Sequence, residues 1–424
     1  NLPSEAEVII IGGGIVGCSI AYHLTKKGVK DVVLLERKQL TCGTTWHAAG
    51  LVSMLWPTPT LTNLAKYCHE LYASLESETG QATGYKRIGS VSLARNSERL
   101  EELQRNSSMA KVFGVASKMI NNQELETLYP GINTEGVIGS LYIEKDGQTN
   151  PIDTTMALAK GARALGAQII ENTKVDDIIL DGDKAIGVRC AEGSIKGKKI
   201  ILTGGLWSRE IAKKIGIKLP LYACEHYYVM TEAMPRLTSR PVMRDFDKGI
   251  YFKEDAGKML IGWFEKNAIG CPMTRIREDF SFDEFPVDME HIEPYLMAAM
   301  ETFPEIAETG IRTFFNGPES FTNDNLHLLG PTPEIENFYV ACGMNSKGIA
   351  AAGGLGKIFA DWIVDGYPSG EITETDVRRN NSIQTTQTYV ESRIPEALGH
   401  TYSMHWPFYQ YQTARNLWKS PLHN

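Results

Sequence analysis

Three glycines early in the chain carry its first piece of chemistry. Gly12, Gly14 and Gly17 form a Gly-x-Gly-x-x-Gly run directly after the apolar stretch Glu7-Val-Ile-Ile-Ile11. In such a run the first glycine permits a tight turn and the second lets the backbone approach a pyrophosphate. The third lets a helix pack close to the strand, and the helix N-terminus offers free amides and the positive end of its dipole. Glu36 ends a second apolar run, Asp31-Val-Val-Leu-Leu-Glu36, about 20 residues further on, where an acid accepts hydrogen bonds from ribose hydroxyls and repels a 2′-phosphate. Together these residues point to an adenine dinucleotide with a free ribose 2′-hydroxyl.

Other positions could do chemistry but are ambiguous on residue type alone. The loop Cys42-Gly-Thr-Thr-Trp-His-Ala-Ala-Gly-Leu51 holds a single histidine among small residues, and a lone His47 reads as a core or solvated side chain. His226 in Glu225-His-Tyr-Tyr and Tyr251 in Gly249-Ile-Tyr-Phe read as sheet residues with satisfied polar tips. Arg244 could answer a substrate carboxylate, but its neighbour Asp245 favours a structural Arg–Asp pair. Lys347 closes the loop Gly343-Met-Asn-Ser-Lys-Gly348 ahead of a helical pattern, whose N-terminus would favour negative charge.

The elements that must hold these residues follow from periodicity. Two buried strands, 7–11 and 31–36, flank a helix from Cys18 to Lys27 that stops at Gly28, giving one βαβ unit. Residues 60–130 read as helical around an internal strand at 89–94, and 153–166 as a helix. Strands are expected at 167–170, 174–180, 198–205 and 338–343, and an antiparallel sheet across 219–265. Helices are expected at 288–303 and 348–364; the last 50 residues show no clean period.

Composition narrows the function. The 424 residues are 42% hydrophobic and 22% charged, ordinary for a globular protein of two or three units. Acidic residues exceed Lys and Arg by 51 to 43, and a net charge of -8 argues against nucleic acid or an anionic membrane as main partner. No apolar run approaches the roughly 18–20 residues of a membrane span. Seven cysteines without CxxC or Cys/His zinc spacing read as reduced, buried thiols, and no metal site is expected. The chain opens at Asn1 with neither a signal peptide nor an Arg-rich presequence, as a mature or excised product would.

The segment Thr45-Trp-His-Ala-Ala-Gly50 resembles the flavin-attachment loop of the sarcosine and dimethylglycine dehydrogenases, within the D-amino-acid-oxidase-like superfamily. Thr203-Gly-Gly-Leu-Trp-Ser208, Glu225-His-Tyr-Tyr-Val-Met-Thr231, Asn316-Gly-Pro-Glu-Ser-Phe-Thr322 and Cys342-Gly-Met-Asn-Ser-Lys-Gly348 match the same family in order. The resemblance implies a doubly wound, Rossmann-like α/β FAD-binding domain interleaved with an antiparallel-sheet substrate domain. The first would take residues 1–90, 150–220 and 325–370, the second 91–149 and 221–324, with 371–424 as a connector.

It also implies FAD bonded covalently through His47, and hydride removal from sarcosine or dimethylglycine with release of formaldehyde. His226 and Tyr251 match the paired His and Tyr that bind or deprotonate substrate in related oxidases. Cofactor contacts are expected from Gly12, Gly14, Ile15, Val16 and Gly17, from Glu36 and Arg37, and from Thr44, Thr45, His47 and Leu51. Val175, Gly204, Trp207 and the run Gly343, Met344, Asn345, Ser346 and Lys347 complete that set. Lys347 departs from the small or aromatic residue expected there. Ala350 stands where monomeric sarcosine oxidases place a carboxylate-binding Lys, so the carboxylate's holder is open.

Ala414-Arg and Ser420-Pro-Leu-His423 resemble the connector into a folate-binding aminomethyltransferase module, so tetrahydrofolate would belong to a module this chain does not contain. The electron acceptor would be an electron-transfer flavoprotein or oxygen, and the compartment a bacterial cytoplasm or the mitochondrial matrix. Two alternatives share the resemblance. One is a glycine-oxidase-type amino-acid oxidase. The other is a non-catalytic paralogue like the regulatory subunit of pyruvate dehydrogenase phosphatase, a branch lacking the loop histidine that this chain has as His47.

Overall fold

The apolar run behind the glycine turn becomes the strand Glu5–Ile11, buried at the centre of an eight-stranded sheet. It pairs in parallel with Val32–Leu35 on one side and with Gly193–Leu202 on the other. The computed structural model describes residues 2–405, 407–416 and 420–422. Gln168–Ile170 extends the sheet beyond Val32–Leu35, and Phe338–Cys342 joins it in parallel beside Ile200–Leu202. One face is covered by the helices Ile15–Lys26, Pro59–Thr79, Pro151–Ala164 and Gly348–Asp365 around a core that includes Val8, Ile10, Leu34 and Phe359. The opposite face packs Ile9, Ile11, Val33 and Leu35 with Val188, Ile195, Ile217 and Phe338. Alternation along each strand sends successive side chains to the two cores.

The second sheet has nine strands and is mostly antiparallel. Its longest pairing joins Leu221–Thr231 to Ile311–Thr322, and Lys258–Trp263, Ile250–Asp255 and Val242–Asp245 follow in order. Ser90–Ala94 then pairs in parallel with Val242–Asp245. One face of this sheet buries Tyr227, Phe252 and Trp263 beneath the helix Met289–Thr302. On the other face one row runs in register across six strands: Ser92, Arg244, Tyr251, Gly262, Tyr228 and Phe315. That row looks toward the first sheet.

Several expected elements shift at their ends. The first helix starts at Ile15, inside the glycine run, so its N-terminal amides face the turn. The helical stretch expected over 60–130 divides into Pro59–Thr79, Ser97–Val112 and Asn122–Leu128, with short strands between. The tail that showed no period holds the helix Gln387–Gly399, which packs Val390, Ile394 and Leu398 against Tyr222, Leu260 and Phe321 of the second sheet. Pro395 inside it obscures the pattern. All seven cysteines are buried and unpaired. Among the described residues no helix is long and apolar enough to cross a membrane, and no cluster of three or more metal-ligating side chains occurs. Of the connector motif, His423 lies outside the described residues.

Candidate active site

A cavity of about 720 Å³ opens between the two sheets. Its floor is the glycine turn and the loop after the second strand, through Gly14, Ile15, Val16, Thr44, Thr45 and Leu51. Its roof is the inner face of the second sheet, through Ser92, Arg244, Tyr251, Phe264 and Glu319. Thr401, Tyr402, Ser403 and His405 close one side.

The turn is shaped to accept a pyrophosphate. Gly12 has φ +116°, and a β-carbon on it would collide with the Thr203 carbonyl; one on Gly17 would collide with the Gly12 carbonyl. The N-cap of the helix Ile15–Lys26 is Gly14, which has no capping side chain, and no acid occupies the first turn; the Thr45 hydroxyl accepts from the Ile15 amide (3.2 Å). Glu36 is buried against the turn, accepting from the amides of Gly13 (2.8 Å) and Lys38 (2.9 Å). Arg37 lies 4.2 Å over the Trp207 ring and donates to the Glu278 and Phe280 carbonyls. Val175 is buried where its strand begins. A second helix N-terminus, that of Gly348–Asp365, has no side-chain cap and follows Met344, Ser346 and Lys347 on the cavity wall.

Some expected contacts stand elsewhere. Asn345 is fully buried and accepts from the Thr322 amide (2.8 Å) while donating to the Gly343 carbonyl (2.7 Å), so its side chain holds the loop. Gly343, at φ +68°, has Thr322 in the space a β-carbon would take. Gly204 packs on Leu202 and Ser208, and Gly205 takes the wall position instead.

The structure corrects the Arg244–Asp245 pair. Consecutive strand residues point to opposite faces. Asp245 turns away and is bound by Arg95, Nε to Oδ2 2.7 Å, whereas Arg244 faces the cavity, donating to the Ser53 hydroxyl and meeting the Tyr402 hydroxyl. Tyr251 is its cross-strand partner. Burial drives the Tyr251 pKa well up, so the hydroxyl keeps its proton and acts as a donor. Asp146, also on the wall, accepts from Met54 N and Ser90 Oγ, and burial raises its pKa.

His47 and His226 stand one layer behind this wall. The His47 ring lies on Phe315 (centroids 4.6 Å) and edge-on to Trp46, its Nδ1 3.7 Å from Glu319 Oε1. Its Nε2 has no hydrogen-bond partner among the described residues. Burial, reinforced by His226, holds its pKa down at about 3, so the imidazole is neutral. His226 is buried between Phe264 and Phe321, with Nδ1 3.6 Å from Glu265 Oε2. Burial opposes its charge, but the carboxylate of Glu265, and then that of Glu319, outweigh it and raise its pKa.

Glu319, Asp146 and Tyr402 were not anticipated from sequence. The detectable signal for Glu319 was the one acid in the strand Ile311–Thr322, beside the Gly317-Pro318 pair.

Comparison with known proteins decides the family. The pattern of the FAD dependent oxidoreductases matches residues 7–362, and that of the FAD dependent oxidoreductase central domain matches 365–420. This chain belongs to the FAD dependent oxidoreductases. FAD is thus the cofactor, and the glycine turn, the two helix N-termini and the Thr44–Thr45 wall suit a dinucleotide of its size. A 4-methylaminobutanoate oxidase (formaldehyde-forming) of Paenarthrobacter nicotinovorans is 40% identical over 426 residues, covering 100% of this chain and 51% of its own length. Human mitochondrial sarcosine dehydrogenase is 36% identical over 429 residues, covering 100% and 46%. The mitochondrial pyruvate dehydrogenase phosphatase regulatory subunit of Mus musculus is 35% identical over 427 residues, covering 100% and 48%. The chain therefore spans about half the length of these curated relatives. Among solved structures, L-proline dehydrogenase from P. horikoshii superposes with a TM-score of 0.82 at 25% identity, covering 89% of this chain and 98% of that one.

Proposed function

We propose that this chain is the flavin-binding part of an enzyme that oxidatively demethylates a small N-methylated amino acid. One observation carries the reading: Arg244 and Tyr251 are neighbours in register on the cavity roof, and the adjacent acid Asp245 is taken by Arg95. A cation and a phenol donor side by side suit a substrate carboxylate. Bound FAD supplies the two-electron acceptor, so that hydride leaves the N-methyl carbon and water hydrolyses the substrate iminium to formaldehyde and the demethylated amine.

The chain's own residues must then favour the free amine, because an ammonium has no lone pair to assist loss of hydride. Tyr251 lies on the wall and His226 behind it, and we assign them to substrate binding and to support of that proton loss, Tyr251 as a hydrogen-bond donor and His226 from behind the wall. The curated names of two relatives, 4-methylaminobutanoate oxidase and sarcosine dehydrogenase, support the N-methyl class. Sarcosine and dimethylglycine are the proposed substrates, with 4-methylaminobutanoate the longer candidate. We also propose that His47 bonds the flavin: a neutral imidazole with an unpartnered nitrogen keeps a lone pair for attachment.

Anaerobic bleaching of the flavin by sarcosine, dimethylglycine and 4-methylaminobutanoate tests the reading. Bleaching with formaldehyde release is expected, whereas an oxo acid and ammonia would mark a glycine-oxidase-type activity. The 35% identity to a phosphatase regulatory subunit supports a second, non-catalytic reading. A flavin-replete protein that none of the three amines bleaches would favour it.

A further inference from the structure

We propose that Glu319 is the group that takes the proton from the substrate ammonium, and that His226 and Glu265 are positioning residues acting through it. The inference deepens the N-demethylase reading and rests on it. Glu319 is the acid that the second sheet presents on the roof beside Tyr251 and Phe264. His226 does not reach the cavity. On the paired strands Glu319 stands opposite Cys224 and His226 opposite Gly317, so the two side chains lie diagonally on one face.

Behind His226 is Glu265, wholly buried, with neither carboxylate oxygen hydrogen-bonded among the described residues and Oε2 3.6 Å from the imidazole. A buried carboxylate without a cation is costly, and among the described residues the one basic group at this distance is His226. The imidazolium that Glu265 favours offsets the charge of Glu319 in turn.

The other groups facing Glu319 leave that account unchanged. His47, from the loop below, is neutral; Tyr251 and Tyr228, from the neighbouring strands, keep their protons; the Ser346 hydroxyl, from the loop before the last core helix, donates to it. Burial raises the Glu319 pKa, which suits a group that takes up a proton, while His226 and the Ser346 hydroxyl oppose that rise. In the step itself the ammonium N–H bond breaks, its electron pair stays on nitrogen, and an O–H bond forms on Glu319. The freed pair would then assist departure of hydride, whose two electrons FAD would accept when bound.

The test uses the full flavin-loaded chain, with anaerobic flavin reduction by sarcosine and dimethylglycine followed across pH. A methyl thioether carboxylate of the same shape, which has no N–H, reports binding by its perturbation of the flavin spectrum. Wild type should reduce faster as pH rises, up to a plateau. Glu319→Gln should slow reduction by about 10²–10⁴-fold and lose that rising limb, while thioether affinity stays within about threefold of wild type. Glu319→Asp should recover part of the rate, and His226→Gln should move the limb to higher pH because the cation beside Glu319 is lost. A wild-type rate and pH profile in Glu319→Gln overturns the proposal and leaves the demethylase reading standing. So does an equal loss of thioether binding, which marks a structural role. If wild type is reduced by no N-methylated amine, both fall together.

Discussion

Gly262 lies directly beneath Tyr251: a β-carbon there would fall inside the tyrosine ring, within 2.5 Å of Cε1. The two are cross-strand partners, and the missing side chain is what lets the ring lie along the sheet into the cavity. Gly262→Ala should therefore tilt Tyr251 off the roof at an overpacking cost of about 1–3 kcal/mol. Flavin content should stay at wild-type level while substrate-driven bleaching slows at least roughly tenfold, a factor worth about 1.4 kcal/mol at the barrier. Equal rates in the two proteins would remove Tyr251's orientation from the mechanism.

Arg244 and Arg95 should respond to the same substitution in opposite ways. Arg244→Met removes a charged donor from the cavity, and a hydrogen bond to an ionised carboxylate is worth about 1.5–3 kcal/mol, or roughly 10- to 150-fold in KM. That variant also removes the cation nearest Asp146, which keeps its bonds from Met54 N and Ser90 Oγ, so urea unfolding should show a smaller loss than in the Arg95 variant. Arg95→Met strips the cation from Asp245, whose side chain is fully buried, and stability should fall by about 3 kcal/mol with KM little changed. Steady-state kinetics and unfolding curves on both variants read out the contrast.

Why the first of these residues was misplaced is a matter of strand geometry. Met243-Arg244-Asp245 reads as an ion pair when adjacency is taken for contact, yet the strand Val242–Asp245 sends neighbours to opposite faces. The βαβ unit, by contrast, was legible because its signals are local: an apolar run, a glycine turn, a capless helix start and an acid at the end of the next strand. Glu319 was hidden because its partners come from elsewhere in the chain, His226 from another strand and His47 from a distant loop. The use of the Asn345 side chain was not legible because residue type does not tell a ligand-facing amide from one taken up by its own loop.

For His47 the expected result is chemical. Protein precipitated in acid should keep its yellow colour, and its intact mass should exceed the polypeptide by one FAD. His47→Ala should lose both while still binding flavin through the glycine turn. A colourless pellet from flavin-replete wild type would place His47 among the packing residues of Phe315 and Trp46.

Lys347 gives a stability prediction with a defined sign. Burial depresses its pKa from 10.5 to about 8. Below pH 8 the lysine is charged in both folded and unfolded chains, and its desolvation cost is fully present. Between about pH 8 and 10.5 the unfolded chain binds the extra proton, so stability rises with pH through that window. Lys347→Met should unfold at a higher temperature than wild type at pH 7, and the difference should narrow by pH 9.5. A difference independent of pH would mean that the Nζ contact to the Asn325 carbonyl, 3.1 Å, sets the balance instead.

The wall formed by residues 401–405 has a consequence for the order in which the molecule is made. The Arg99 guanidinium donates to the Tyr402 carbonyl (2.7 Å) across 303 positions of sequence, and the Tyr402 ring packs on Phe264 and Phe246. During synthesis the glycine turn, both sheets and the last core helix leave the ribosome before Tyr402 does. Contacts so distant in sequence form late, because closing the chain on itself costs entropy first. A nascent chain thus has its nucleotide cleft assembled while this wall is still missing, and the cofactor meets a wider mouth then than in the finished protein.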